Sequence, residues 1–245
     1  MSMAVKKSIF SNLSEKEVHV WMIDIEAHLS SFNSYVHILS AEETLRANDY
    51  IFLEHSTRFV IRRAILRIIL SFYTSISPKN IIIRTDQNGK PYLGCYESKI
   101  FFSLSYSQNL VYYAISSKPC IGIDIEYISE KPPEEDLAKL VLHSEEYKLF
   151  EKLFSYQKRD LFYQYWSQKE ALVKAIGIGL RFPLSDIHIE FSNHQVSRLI
   201  SFATSPVDMW SLSSLEIPSN YVGYIALKGE LGPIKYQQLT NSEYV

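Results

Sequence analysis

The pattern of apolar and polar positions predicts two long helices, one in each half of the chain, each followed by strands. Apolar residues recur at helical spacing over 57–73 (TRFVIRRAILRIILSFY) and over 159–177 (RDLFYQYWSQKEALVKAIG). Downstream of each helix, runs rich in β-branched and aromatic residues predict strands over 100–116 and 209–227. The chain is therefore expected to belong to the α+β class.

A shorter helix is predicted ahead of each long one. The segment 39–45 (LSAEETL) carries Ser40 and Glu43 at capping-box spacing, in which each side chain accepts a hydrogen bond from a free backbone N–H. The segment 142–150 (LHSEEYKLF) opens in a similar way, with Ser144 as the predicted N-cap and glutamates in the first turn. The same order of elements is thus predicted twice.

These parallels indicate that one supersecondary unit is used twice. The long helices align with Arg63–Arg67 opposite Glu170–Lys174, and the two halves are offset by about 105 residues. Recurrence of helix-then-strand order by chance is the alternative. We predict an N-terminal half (1–116) and a C-terminal half (117–228), each a small sheet packed with helices, and a short tail (229–245).

Composition and charge narrow the classes of function. The formal net charge of −2 argues against a protein that coats nucleic acid, because such proteins are usually basic. The two cysteines, Cys95 and Cys120, lack metal-ligand spacing and predict a reducing compartment. No apolar run has the length or flanks of a membrane span or a signal peptide. We expect a cytoplasmic protein that binds neither nucleic acid nor membranes.

The segment 121–128 (IGIDIEYI) puts two carboxylates on one face of a predicted strand. Its isoleucines favour β-structure, and Gly122 lets a neighbouring element approach closely. Because side chains alternate along a strand, Asp124 and Glu126 point to the same side. Like charges side by side repel each other, so a positive group is expected beside them.

A second group of polar residues lies on the predicted long helix of the C-terminal half. In WSQKEALVKAIGIGL, Trp166, Glu170 and Lys174 recur every four residues and share one face. Taken alone, Glu170 and Lys174 are an ordinary surface ion pair. Together with the two strand carboxylates, however, Glu170 completes a set of three acids that can ligate one Mg²⁺. Lys174 would then be well placed to meet a phosphate on that ion.

The strand motif GIDIE followed by WSQKEALVKAIGIGL resembles the signature of 4′-phosphopantetheinyl transferases of the large, surfactin-synthetase-activating type. Other segments follow in the order of that family, namely LSAEETLRANDY, NGKPYL, FFSLSYS, LHSEEY and FPLSDIHI. The resemblance covers nearly the whole chain and implies a monomer of two halves related by pseudo-two-fold symmetry. It also implies an enzyme that transfers the 4′-phosphopantetheine arm of coenzyme A to a serine hydroxyl of an apo acyl or peptidyl carrier protein, releasing 3′,5′-ADP.

The resemblance assigns a metal site and the reacting groups. By this likeness Asp124, Glu126 and Glu170 hold a Mg²⁺, or a Mn²⁺, that also binds the pyrophosphate of coenzyme A. Glu170 matches the family residue that acts as base towards the serine hydroxyl, directly or through water. Lys174 matches a residue that contacts the phosphates and stabilises the departing 3′,5′-ADP, and Lys169 is a second candidate for that role.

Basic residues of the N-terminal half are implied in binding the nucleotide of coenzyme A. Lys90 follows the turn sequence Asn-Gly, where a lone lysine is usually just solvated, but the family uses this position for the nucleotide phosphates. Arg46 and Arg58 match basic family positions near the 3′-phosphate. Arg63 is either a further basic residue of this site or a structural ion-pair partner.

Ser105 and Tyr106 complete the residues that the resemblance assigns to coenzyme A. Ser105 in FSLSYS matches a phosphate-contacting serine, whereas the family usually has histidine at the position of Tyr106. A tyrosine hydroxyl donates one hydrogen bond but is neutral at pH 7. This departure predicts weaker discrimination between coenzyme A and its 3′-dephospho form, unless the Tyr106 ring is instead buried between the halves.

Two other functions are compatible with the same acidic residues. Metal-dependent nucleases also combine two acids and a lysine around Mg²⁺, but they usually carry acid-x-Lys on a strand, and an acidic chain disfavours nucleic-acid binding. A carrier-binding protein that has lost catalysis is the second alternative, against which the intact acids and Lys174 argue. Mg²⁺-dependent turnover of coenzyme A separates the three possibilities.

Overall fold

Helices and strands follow one another in the same order in both halves of the chain. The computed structural model describes residues 13–15, 17–94, 99–131, 133–179, 182–192, 196–202 and 206–239. The first half contains β1 (Val18–Asp24), α1 (Phe32–Val36), α2 (Ala41–Asn48), α3 (Leu53–Thr74), β2 (Ile83–Thr85), β3 (Pro91–Leu93), β4 (Phe101–Ser107) and β5 (Leu110–Ser116). The second half contains β6 (Ile121–Tyr127), α4 (Glu135–Val141), α5 (Ser144–Glu151), α6 (Ser155–Ile176), β7 (Ile187–Ser192), β8 (Val196–Phe202), β9 (Trp210–Ser214) and β10 (Tyr221–Lys228). One further strand, β11 (Ile234–Gln238), follows.

The strand order is also the same in the two halves. In the first half β1 pairs with β5, which pairs with β4, and in the second β6 pairs with β10, which pairs with β9, all antiparallel. The two long helices predicted from the sequence are α3 and α6, of 22 residues each. The predicted strands become the hairpins β4–β5 and β9–β10. The α+β class is therefore confirmed.

The segment after residue 228, which we predicted to be a tail, contributes a strand to the first half. β11 lies parallel to β1, with Val18 opposite Ile234 and Met22 opposite Gln238, and so forms one edge of a four-stranded sheet. A five-residue strand has too little pattern to predict from sequence, and its partner lies near the other end of the chain. The segment predicted as a tail thus contains a strand that pairs with the first half.

The short helices that precede the two long ones, α2 and α5, begin with capping boxes. One of the two boxes begins at a residue that we did not predict. At α2 the predicted box is confirmed, since Glu43 N donates to Ser40 Oγ (3.2 Å) and Ser40 N donates to Glu43 Oε2 (3.0 Å). At α5 the N-cap is His143 rather than Ser144, and His143 N donates to Glu146 Oε2 (2.8 Å). The imidazole Nδ1 accepts from the first-turn backbone, so Ser144 becomes the first helical residue.

Both capping-box glutamates also form buried ion pairs with the long helix that follows. Arg67 Nε of α3 donates to Glu43 Oε2 (2.6 Å), and Lys169 Nζ of α6 donates to Glu146 Oε2 (2.5 Å). All four side chains are buried. Each short helix is thus held to the long helix that follows it by an ion pair shielded from water. Replacing only one residue of such a pair destabilises the fold, because the other charge is left buried without a partner.

These ion pairs relate α3 and α6 in a different register from the one we derived by aligning their sequences. Arg67 and Lys169 make equivalent contacts and lie 102 residues apart, as do the helix starts at Leu53 and Ser155. The sequence alignment had set Arg67 opposite Lys174, five residues further on. Five residues are about 1.4 helical turns, so the sequence alignment set different faces of the two helices opposite each other.

The contact between β6 and α6 requires a glycine at position 122. A Cβ atom there would lie 2.0 Å from Ala171 O and 2.4 Å from Ala175 N. Both are backbone atoms of α6 and cannot move aside as a side-chain end can. The expectation that Gly122 permits close approach is confirmed, and this approach brings the acids of β6 next to those of α6.

We predict that Gly122→Ala lowers the free energy of unfolding by at least about 1–3 kcal/mol, because the added methyl group forces the helix and strand apart. Urea unfolding measures this change. Lys228→Ala, at an exposed position of the same sheet, is the control and should change the free energy by no more than about 0.5 kcal/mol. Equal effects of the two substitutions would show that α6 and β6 tolerate a wider spacing.

The structure bears on two expectations drawn from the composition, the absence of a membrane span and the state of the cysteines. No helix in the described part of the chain has the length and apolar character needed to span a bilayer. Cys120 is a free, partly buried thiol, and Cys95 lies outside the described residues.

Candidate active site

A cavity of about 650 Å³ lies between the two halves and is lined by both of them. The first half contributes α2, α3, the turn before β3, and β4, whereas the second contributes β6 and α6. The predicted site residues that line the cavity are Arg46, Lys90, Ser105, Tyr106, Asp124, Glu126, Glu170 and Lys174.

Lys174 provides the positive charge that we expected beside the strand carboxylates. Its Nζ donates to Asp124 Oδ1 (2.7 Å) and to Ser105 Oγ (2.9 Å). Ser105 Oγ in turn donates to the same Asp124 oxygen (3.0 Å). The Asp124 side chain is 3% exposed and that of Lys174 31%, so the carboxylate is held inside while the ammonium reaches the cavity.

The serine of this network belongs to a row of three on β4 that faces β6. Ser103 Oγ accepts from Ile123 N (3.1 Å), and Ser107 Oγ accepts from Tyr127 N (3.0 Å). Ser107 Oγ also donates to Glu126 Oε2 (3.3 Å). Hydroxyl groups thus join the facing edges of the two sheets. Our sequence analysis selected only the middle serine, although the alternation S-x-S-x-S in FSLSYS is the pattern that indicates all three.

Glu126 is oriented from both sides of the cavity. Trp166 Nε1 of α6 donates to Glu126 Oε1 (3.1 Å), while Ser107 holds the other oxygen. Trp166 was predicted to share a helix face with Glu170 and Lys174, and all three residues line the cavity. The indole therefore acts as a hydrogen-bond donor to an acid of the other element, which sequence spacing could not reveal.

The donor set of the cavity suits a hard divalent cation. Asp124 Oδ2 and Glu170 Oε1 are buried and accept no hydrogen bond from any residue that the structure describes. Burial and the neighbouring Asp124 raise the pKa of Glu126 and of Glu170 to about 7. Within the described ranges, no three acidic, histidine or cysteine side chains already form a compact ion-binding group. The fit therefore rests on donor chemistry and on the two unbonded oxygens, because Mg²⁺ prefers carboxylate oxygen.

We predict that these two glutamates make the folded chain less stable as the pH rises. Their pKa near 7 lies above the ordinary 4.5, so the folded chain binds their protons more tightly than the unfolded chain does. Their contribution to stability is fully present below pH 4.5 and is lost as the pH rises through about 7. Thermal midpoints between pH 5 and 8, measured in chelator, should fall more steeply for the wild type than for the Glu126→Gln, Glu170→Gln double variant. Parallel profiles would contradict the assignment.

Lys90 bridges the two halves instead of extending into solvent. Its Nζ donates to Ala175 O (2.7 Å) near the end of α6 and to Ile121 O (3.3 Å). The neighbouring Asn88 Nδ2 donates to Gly177 O (2.7 Å). Burial lowers the pKa of Lys90. The turn before β3 thus binds the carbonyl groups at the C-terminus of α6, where positive charge is favourable.

Two of the predicted basic residues lie away from the cavity. Lys169 is fully buried, with its ammonium bonded to Glu146 and to Val141 O (2.8 Å). Arg58 pairs with Glu54 (3.0 Å) and with the loop that joins β4 to β5. Neither Lys169 nor Arg58 therefore lies with the predicted site residues that line the cavity. Arg63 does line the cavity, but it also forms the ion pair that was its alternative role, with Glu43 Oε1 (2.7 Å).

Tyr106 lines the cavity and is 53% exposed. The alternative in which this ring is buried between the halves does not agree with that exposure. The guanidinium of Arg62 lies over the ring, 3.8 Å from its centroid. Arg62 also lines the cavity, although the sequence analysis did not select it.

Comparison with known proteins identifies the family of the chain. The family model described as 4′-phosphopantetheinyl transferase superfamily matches residues 120–226, and that described as 4′-phosphopantetheinyl transferase, N-terminal, matches residues 26–119. The chain is 37% identical to the 4′-phosphopantetheinyl transferase HetI of Nostoc sp., over 89% of this chain and 90% of that protein. It is 28% identical to the 4′-phosphopantetheinyl transferase Sfp of Bacillus subtilis, over 70% of this chain and 75% of that protein. As the two acidic motifs predicted, the chain belongs to the 4′-phosphopantetheinyl transferase superfamily of enzymes.

Proposed function

We propose that this enzyme transfers the 4′-phosphopantetheine arm of coenzyme A to a serine hydroxyl of an apo carrier protein, in a Mg²⁺-dependent reaction that releases 3′,5′-ADP. The observation that carries the proposal is the pair of buried, unbonded carboxylate oxygens on Asp124 and Glu170, in the cavity that Lys174 also lines. Unpaired buried carboxylate oxygens are costly unless a cation satisfies them.

Asp124, Glu126 and Glu170 are the residues that would hold the divalent ion, and Mn²⁺ satisfies the same donors. When bound, such an ion supplies positive charge to the oxygens of a diphosphate and so favours attack at phosphorus. The hydrogen bonds from Trp166 and Ser107 keep Glu126 turned towards the cavity, which favours a fixed set of ligands.

Glu170 is the residue suited to take the proton of the carrier serine, directly or through water. A serine hydroxyl is a weak nucleophile at neutral pH, and a base acts best when its pKa lies near the working pH. Burial and Asp124 raise the pKa of Glu170 to about 7 in the absence of a metal ion, and a cation on the same carboxylate would lower it. Lys174, whose ammonium reaches the cavity, is suited to stabilise the negative charge that develops on the departing 3′,5′-ADP.

In the first half, Lys90, Arg46 and Ser105 are the residues that would contact the nucleotide part of coenzyme A. All three line the cavity. Lys90 would do so while its ammonium remains bonded to the end of α6, so that nucleotide binding and the junction of the two halves depend on the same side chain.

We further infer that the halves are related by pseudo-two-fold symmetry and that the enzyme acts as a cytoplasmic monomer. The shared strand order and the equivalent ion pairs of Arg67 and Lys169 support the symmetry. One chain contributes both walls of the cavity, so a second copy is not needed to complete it. Light scattering at micromolar concentration tests the monomer.

The proposed reaction is tested by intact mass spectrometry of apo acyl and peptidyl carrier proteins incubated with the enzyme and coenzyme A. We expect one carrier serine to gain one phosphopantetheine arm in Mg²⁺ and none in chelator. Glu170→Gln should lose the gain, while Glu151→Gln, at an exposed position on α5, should keep it. A gain that is unaffected by chelator would contradict the metal dependence. Cleavage of nucleic acid without any carrier modification would favour the nuclease alternative.

A further inference from the structure

The basic side chains that line the cavity differ in the groups with which they form hydrogen bonds or ion pairs. Arg63 is paired with Glu43, Lys174 with Asp124, and Lys90 with backbone carbonyl groups. The guanidinium of Arg62, in contrast, forms no hydrogen bond or ion pair with any residue in the described part of the chain; its contact is with the ring of Tyr106.

The Arg62 guanidinium is partly buried, and burial lowers its pKa. Stacking on an aromatic ring compensates part of the lost hydration, but it satisfies none of the five N–H donors, which lie in the guanidinium plane. Because burial of this guanidinium costs free energy, an anion that accepts hydrogen bonds from its N–H groups should bind there favourably. The ring of Tyr106 covers the guanidinium without accepting a hydrogen bond in its plane, which leaves those N–H donors for another group.

A second arginine of the same wall also lies against an aromatic ring, although its side chain is exposed. The Arg46 guanidinium of α2 lies 5.4 Å from the ring centroid of Phe59 on α3, and both residues line the cavity. The wall formed by the first half therefore carries two arginines held by aromatic rings rather than by carboxylates. The acids and Lys174 lie on the opposite wall, which the second half contributes.

Coenzyme A carries two separate anionic groups, a diphosphate and a phosphomonoester on the ribose 3′ oxygen. If the diphosphate lies against the acids and their cation, the phosphomonoester is left for the other wall. A dianionic phosphomonoester suits a planar guanidinium, because two parallel N–H groups can bind two of its oxygens. The hydroxyl of Tyr106 can add one neutral hydrogen bond.

We propose that Arg62, whose guanidinium lies over the Tyr106 ring, binds the 3′-phosphomonoester of coenzyme A and makes this enzyme select coenzyme A over 3′-dephospho-coenzyme A. The inference rests on the proposed function, since it takes coenzyme A to be the donor. It reverses the expectation drawn from the missing histidine. Arg62 of α3 supplies the positive charge that a protonated histidine at position 106 would carry.

The test compares binding of coenzyme A and of 3′-dephospho-coenzyme A by calorimetry, alongside kcat/KM for transfer from each donor. Arg62→Gln should weaken binding of coenzyme A about tenfold or more and change binding of the dephospho form less than about twofold, since a charge-assisted hydrogen bond is lost. Arg84→Gln removes an exposed positive charge on β2 and is the matched control, expected to change neither.

Tyr106→Leu provides a second variant whose folding is not in question, because the ring is about half exposed. It should reduce the preference for coenzyme A in the same direction as Arg62→Gln. If the wild type transfers the arm from coenzyme A but both variants keep its donor preference, the assignment of Arg62 is overturned and the proposed function stands. If the wild type binds neither donor and modifies no carrier, the proposed function fails, and with it this inference.

Discussion

Asp124→Asn is expected to lower kcat/KM for carrier modification by at least about 100-fold while leaving the fold intact. The carboxylate has a central position, since it accepts hydrogen bonds from both Lys174 and Ser105 and keeps one buried oxygen unbonded. Asparagine preserves the shape of the side chain but removes the negative charge that a divalent ion requires. Lys174 is part-exposed and can turn its ammonium to water, so unfolding should not follow.

The measurement is the rate of mass gain on the carrier at saturating and at limiting Mg²⁺, with thermal unfolding as the check on folding. Asp136→Asn removes the same charge at an exposed position of α4 and should retain wild-type rates. Removing repulsion between Asp124 and the two glutamates should also raise the thermal midpoint in chelator. Near wild-type transfer by Asp124→Asn at limiting Mg²⁺ would falsify the metal assignment.

Lys169→Met is expected to lower the free energy of unfolding by about 3–5 kcal/mol, the largest effect on stability that we predict. The substitution leaves Glu146 buried without its counter-ion, although that carboxylate still accepts from His143 N and Ile189 N (2.8 Å each). Urea unfolding measures the loss. Combining Lys169→Met with Glu146→Gln removes both charges and should recover part of it.

An exposed ion pair on α5 provides the control for this prediction. Lys148→Met breaks a contact with Glu145 (2.7 Å) in which both side chains are more than half exposed, and it should cost no more than about 0.5 kcal/mol. Because Lys169 lies outside the cavity, the folded Lys169→Met variant should keep its affinity for coenzyme A. A selective loss of that affinity would instead support the phosphate contact that the family resemblance suggests.

Most of the framework of the site can be predicted from periodicity along the chain. Alternation in the strand motif puts Asp124 and Glu126 on one side, and the glycine between the first two isoleucines accounts for the close approach of α6. Four-residue spacing brings Trp166, Glu170 and Lys174 to the same cavity. These features are local, because a strand or helix determines which of its side chains share a face whatever it packs against.

The prediction for Lys169 could have been improved from the sequence alone. Five residues of an α-helix turn through about 500°, so Lys169 and Lys174 point about 140° apart. A lysine beside Glu170 in the motif is therefore directed away from the face that Lys174 shares with Glu170. Resemblance selected Lys169 by its position in the motif, whereas helix geometry separates the two ammonium groups.

The amino-acid sequence by itself determined four of the helices, the strand segments that follow the two long ones, the shared face of the acids and the family. Only the tertiary structure decided what each face meets: Arg62 under the Tyr106 ring, Ser103 and Ser107 across from β6, and β11 beside β1. The physical reason is that periodicity describes the direction of a side chain relative to its own backbone. The partner found in that direction depends on packing between segments far apart in the chain, and no local pattern records it.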